Sequence, residues 1–60
     1  MITIHTRKKT TKELGEHYLG AIRVYDAGKF LFQIIGKIPR VVREDALEDA
    51  KIMRKELEAK

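Results

Sequence analysis

"YDAGKFLFQIIGK", Tyr25–Lys37, is the stretch whose reading decides the fold. Asp26-Ala27-Gly28 is a turn signal between two apolar arms. "YLGAIRVY" (Tyr18–Tyr25) precedes it and "KFLFQIIGKI" (Lys29–Ile38) follows, both rich in aromatic and β-branched residues. A type I turn closed by a left-handed glycine predicts a three-residue hairpin loop and sets Tyr25 opposite Lys29. The register then runs Val24–Phe30, Arg23–Leu31, Ile22–Phe32, Ala21–Gln33, Gly20–Ile34 and Leu19–Ile35. It sorts the hairpin into two faces. Gly20, Ile22, Val24, Phe30, Phe32, Ile34 and Ile38 form a wholly apolar face. Leu19, Ala21, Arg23, Tyr25, Lys29, Leu31, Gln33, Ile35 and Lys37 form a mixed one. A slip of one residue would exchange them.

Outward from the hairpin, "ITIHTRK" alternates and predicts a first strand over residues 2–7. Ile2, Ile4 and Thr6 lie on one side of it, and Thr3, His5 and Arg7 on the other. Lys8–His17 is polar and reads as a connecting loop, with Thr10 and Glu13 at capping-box spacing. The other two strands are expected over 18–25 and 29–38, with Pro39 marking the strand exit. "VREDALEDAKIMRKELEAK" predicts a helix over about 43–58. Ala46, Ala50, Met53 and Leu57 recur at three- and four-residue steps, and Glu44 and Asp45 suit the first turn. The two small alanines would let the helix lie close over Ile22 and Phe32. The expected class is α+β, a single βββα domain over residues 1–60: a three-stranded antiparallel sheet with one C-terminal helix packed on one face. Nothing remains in the chain to cover the other face.

Composition narrows the function. Sixty residues make one small domain whose core is marginal alone. The chain has no serine and no cysteine, which removes the commonest nucleophiles and any disulfide. His5 and His17 are expected to be ordinary surface residues, and the acids Glu44, Asp45, Glu48 and Asp49 a solvated helix face. The four glycines lack phosphate-loop spacing. The expectation is a non-enzyme with no metal and no cofactor. No apolar run reaches the ~18 residues of a membrane span. "MITIHTRKK" carries its charges after its apolar residues, unlike a secretory signal, so a cytoplasmic location is expected.

The net charge is +4, and it is uneven. Residues 1–43 hold nine basic residues against three acids, whereas residues 44–60 hold four against six. A basic sheet face suits a polyanion: Arg and Lys neutralise phosphates, and Arg and Gln read base edges. The expected nucleic-acid contacts are Arg7, Lys8, Lys9, Arg23, Tyr25, Lys29, Gln33, Lys37 and Arg40, with DNA as the partner. The alternative uses the same face for a protein. Leu19, Leu31 and Ile35 would be left uncovered there, as a docking patch for an inhibitor-like module or a homodimer.

"YLGAIRVYDAGKFLFQIIGK…VVREDALEDA" resembles the arm-type DNA-binding domain at the N-terminus of tyrosine recombinases and the related AP2-type domain. That resemblance implies a sheet that enters the major groove with a helix bracing its back, and it points to Arg7, Arg23, Lys29 and Gln33. The AP2 tryptophans are missing. "VREDALEDAKIMRKELE" is also similar to the first helix of the HicB antitoxin family.

Overall fold

The computed structural model describes residues 1–59. Three strands, β1 (Ile2–Thr11), β2 (Gly15–Asp26) and β3 (Lys29–Ile35), form an antiparallel sheet in the order β1-β2-β3. One helix, α1 (Arg43–Glu58), packs against it. The α+β class and the βββα order are those expected.

The first hairpin is longer than its sequence pattern suggests. The polar segment read as a loop from Lys8 to His17 is mostly strand. β1 runs on to Thr11 and pairs without interruption from Ile2↔Val24 to Thr11↔Gly15. Only Lys12-Glu13-Leu14 turns. Gly15 supplies the left-handed backbone there (φ 67°), and the Leu14 N–H donates to Thr11 Oγ1 at 3.1 Å. Threonines and lysines do not alternate with apolar residues, but pairing needs only backbone, so the hydrophobic pattern is silent here.

The second hairpin corrects the expected register. Ala27 and Gly28 both take positive φ (51° and 80°), which makes a two-residue loop with Asp26 opposite Lys29. Tyr25 pairs with Phe30, the register shifts at a bulge, and Val24 pairs with Phe32, Arg23 with Gln33, Ile22 with Ile34 and Ala21 with Ile35. The bulge adds one residue to β3, at Leu31. The pairs beyond it are displaced by two positions from those expected. An even displacement keeps each residue on its face, so Gly20, Ile22, Val24, Phe32 and Ile34 still share one. Phe30, before the bulge, changes face and joins Tyr25, with ring centroids 5.8 Å apart and edge to face. β3 ends at Ile35, three residues before the expected Ile38.

Helix α1 crosses the face that carries Gly20 and Ile22. A side chain at Gly20 would collide with the Ala46 carbonyl oxygen and stand 2.9 Å from the Ala50 nitrogen. That absence of a side chain, with alanine at 46 and 50, lets the helix sit directly on β2. Ile22, Ala46 and Ala50 are fully buried. The helix lies over β1 and β2, and its backbone stays clear of β3, with only side chains such as Met53 reaching toward Ile34 and Gly36 across a groove. The expectation that it covers Phe32 fails for that reason: Phe32 remains 44% exposed. Arg40 ties the loop before α1 to both layers. Its backbone pairs with Tyr18, and its guanidinium donates two hydrogen bonds to Asp49, at 2.8 and 3.0 Å.

Candidate nucleic-acid interface

The register builds the helix-free face residue by residue. β1 contributes Thr3, His5, Arg7 and Lys9; β2 contributes His17, Leu19, Ala21, Arg23 and Tyr25; β3 contributes Phe30, Gln33 and Ile35. Across the strands, Arg23 lies between Thr3 and Gln33, Arg7 beside Leu19, and Lys9 beside His17. The face therefore has a Tyr25–Phe30 aromatic end, then Arg23 with Gln33, then a small waist at Ala21. Arg7 and Lys9 follow at the far end. Four residues along β2 and one strand across put Arg23 and Arg7 about 14 Å apart at the backbone.

Among the described residues no carboxylate belongs to this face. The acids of the described residues lie elsewhere: on α1, at the turns at Glu13 and Asp26, and on the opposite face at Glu16. Among the described residues, Arg7, Lys9 and Arg23 have no acidic partner within salt-bridge distance, and the four ion pairs present all involve other cations.

Five of the nine expected contacts come together here: Arg7, Lys9, Arg23, Tyr25 and Gln33. The other four do not share the surface. Lys8 points to the helix side and pairs with Glu16 at 3.4 Å. Lys29 sits at the hairpin turn opposite Asp26. Lys37 lines a groove on the helix side. Arg40 is engaged with Asp49; these hydrogen bonds hold the Asp49 carboxyl below the usual carboxylate range and raise the Arg40 guanidinium above its own.

The docking patch of Leu19, Leu31 and Ile35 is not formed as expected. Leu19 is only 8% exposed, because it stands in the central strand, and it pairs with Arg7 rather than facing Ile35. Long basic side chains cover apolar neighbours with their methylene stems. Ile35 lies beside Ala21 and is half-buried; Leu31 alone of the three is exposed.

Two features escaped the sequence. His17 is not a surface residue: it is buried, with Nδ1 3.1 Å from the Gly15 carbonyl oxygen. His5 Nε2 lies 2.7 Å from Thr3 Oγ1. Both histidines are thus held against the face by neighbours two residues away. Phe30 joins the face only through the bulge, which nothing in the local pattern announces. Among the described residues no cluster of His, Cys, Asp or Glu is placed to hold a metal ion, and no helix is long and apolar enough to cross a membrane.

What the geometry defines is a helix-braced sheet with one basic, acid-free face. No family model, curated protein or solved structure matches the chain.

Proposed function

We propose that this chain is a nucleic-acid-binding module that lays its helix-free sheet face against duplex DNA. The observation that carries this reading is the placement of Arg7, Lys9, Arg23 and Gln33 on one face that holds no carboxylate. Three strands at about 4.8 Å spacing span about 10 Å between outer backbones, which matches a major groove about 12 Å wide. Arg7, Lys9 and Arg23 serve the phosphates, and Gln33, beside Arg23, is positioned for a base edge. Tyr25 and Phe30 form an aromatic end against sugar or base. The helix stays on the far side as the brace.

The test is a titration of labelled duplex DNA against salt. Three neutralised phosphates give a log–log slope near −2.7, so affinity falls about 40-fold between 50 and 200 mM salt. Arg23→Gln is expected to reduce the slope by about 0.9 and weaken binding at every sequence. Lys8→Gln, on the opposite face, leaves both unchanged. Absence of binding at low salt, or a slope indifferent to Arg7→Gln, Lys9→Gln and Arg23→Gln combined, overturns the reading.

A further inference from the structure

We infer that β3 is a self-association edge, and that two copies of this chain pair β3 with β3 antiparallel about a two-fold axis into one six-stranded sheet. The inference stands independently of DNA binding.

The free edge is chemically specific. The Gly36 N–H donates to the Gly20 carbonyl at 2.7 Å, which makes 20/36 a hydrogen-bonded pair of the β2–β3 ladder. Antiparallel pairing alternates, so Ile34 and Phe32 also bond toward β2, while Gln33 and Ile35 turn their N–H and C=O groups outward. The sheet's two edges differ in protection. β1 carries Arg7, Lys8 and Lys9 in succession, the usual device against pairing. From Phe30 to Gly36, between Lys29 and Lys37, β3 and its continuation carry no charge.

The surface beside that edge is apolar and open. Helix α1 stops short of β3, leaving Phe32 44% and Ile34 41% exposed; Ile34, Ile38 (57%) and Ile52 (53%) also line a groove of about 520 Å³, with Lys37, Arg40 and Asp49 at its polar end. The chain exposes 4648 Å² in total, against about 4,000 Å² for a compact monomer of its mass. Its radius of gyration is 12.2 Å, against about 10.4 Å for a compact domain of this length. The surplus of about 600 Å² approaches the ~800 Å² per partner that a stable interface removes.

A second copy is the occupant these features select. A two-fold brings the same outward donors to the same acceptors, and the uncharged run Phe30–Gly36 keeps like charges out of the middle of the seam, with Lys29 and Lys37 only at its ends. The axis stands perpendicular to the sheet. Both helices therefore remain on one side, Phe32 and Ile34 of each copy meet at the centre between them, and both basic faces lie together on the other side.

The experiment is sedimentation equilibrium from micromolar to about millimolar concentration, on the wild type and two variants. Gln33→Pro removes an outward N–H without touching the β2 ladder, where proline is tolerated. Phe32→Lys puts a charge at the meeting point. Far-UV circular dichroism checks that each variant folds. The expected result is a reversible shift from 7.0 kDa to about twice that mass, with each folded variant raising the dissociation constant at least about tenfold. A wild type that stays monomeric throughout overturns the inference. So does a dimer that both folded variants leave intact, which would place the interface elsewhere, or an open-ended series of larger species.

Discussion

Replacing Gly20 with alanine is expected to destabilise the fold, although local propensity argues the opposite. Within a strand, alanine is favoured over glycine by about 0.5–1 kcal/mol, because glycine loses more backbone freedom on folding. At Gly20 the added methyl meets backbone: the Ala46 carbonyl oxygen, the Ala50 nitrogen at 2.9 Å and the Asp49 Cβ at 3.1 Å. No side chain can rotate away to make room, so the helix as a whole must lift from β2. Overpacking of this kind costs about 1–3 kcal/mol, and against backbone that cannot rotate away it stands at the upper end, about 2–3 kcal/mol, which leaves a net loss of about 1–2.5 kcal/mol after the propensity gain. A chain of this length is stable by only about 3–9 kcal/mol, so the loss is a large fraction, and it lowers the melting temperature by roughly 5–15 °C. The assay is urea unfolding followed by circular dichroism at one fixed protein concentration, since association with a second copy would itself move the midpoint. Two controls locate the cause. Gly15→Ala has open space around it and costs only the left-handed backbone. Gly20→Ala combined with Asp49→Ala gains nothing back, because the obstructing atoms are backbone and Cβ. A Gly20→Ala midpoint at or above wild type would refute the close helix–strand contact.

Ala27→Asn is expected to stabilise the second hairpin by about 0.5–1 kcal/mol, because Ala27 holds φ 51° in a two-residue turn whose favoured pair is Asn-Gly; a raised urea midpoint checks it. The Arg40–Asp49 pair makes stability depend on acid pH. Asp49 has a folded pKa depressed below its unfolded value of about 3.9, mainly by the hydrogen bonds from Arg40. Its contribution is therefore present above about pH 4 and lost as pH falls through the folded value. Asp49→Asn is expected to be less stable than wild type near neutrality, with the gap closing below about pH 4 in unfolding midpoints taken across that range.

The fold class was legible because the strongest signals are the ones that decide it. Apolar arms flank Asp26-Ala27-Gly28, and a helix with alanines at 46 and 50 follows. Faces were legible for the same reason: side-chain alternation survives a register error of two residues. What stayed hidden depends on interactions with no side-chain signature. The extension of β1 through Lys8, Lys9, Thr10 and Thr11 is backbone pairing with a polar partner. The turn at Ala27 is left-handed at a residue that rarely adopts that conformation, so the sequence favoured the longer loop. The bulge at Leu31 follows from that turn and carries Phe30 to the other face. Of the candidate contacts, strand positions could be assigned by alternation, whereas Lys8 and Arg40 lay in segments read as irregular and Lys37 in a strand read as running to Ile38 that ends at Ile35; their directions depended on contacts distant in sequence. Leu19 was misjudged because apolarity on an uncovered face was equated with exposure, when the central strand of even a narrow sheet is covered by its neighbours.

Charge segregation bears on how such a face would act. The net +4 is too small to attract a polyanion strongly if it is averaged over the surface. Here the acids crowd α1, and Arg7, Lys9 and Arg23 occupy the opposite side of the sheet. The molecule is 15 Å through its thinnest dimension, and the Debye length at physiological salt is about 8 Å. The acidic layer is thus screened from a ligand touching the sheet, which meets the three cations without cancellation. A ligand that arrives helix first meets no such excess of cations, because the six acids of α1 stand there among its four bases. The segregation orients encounter rather than merely strengthening it.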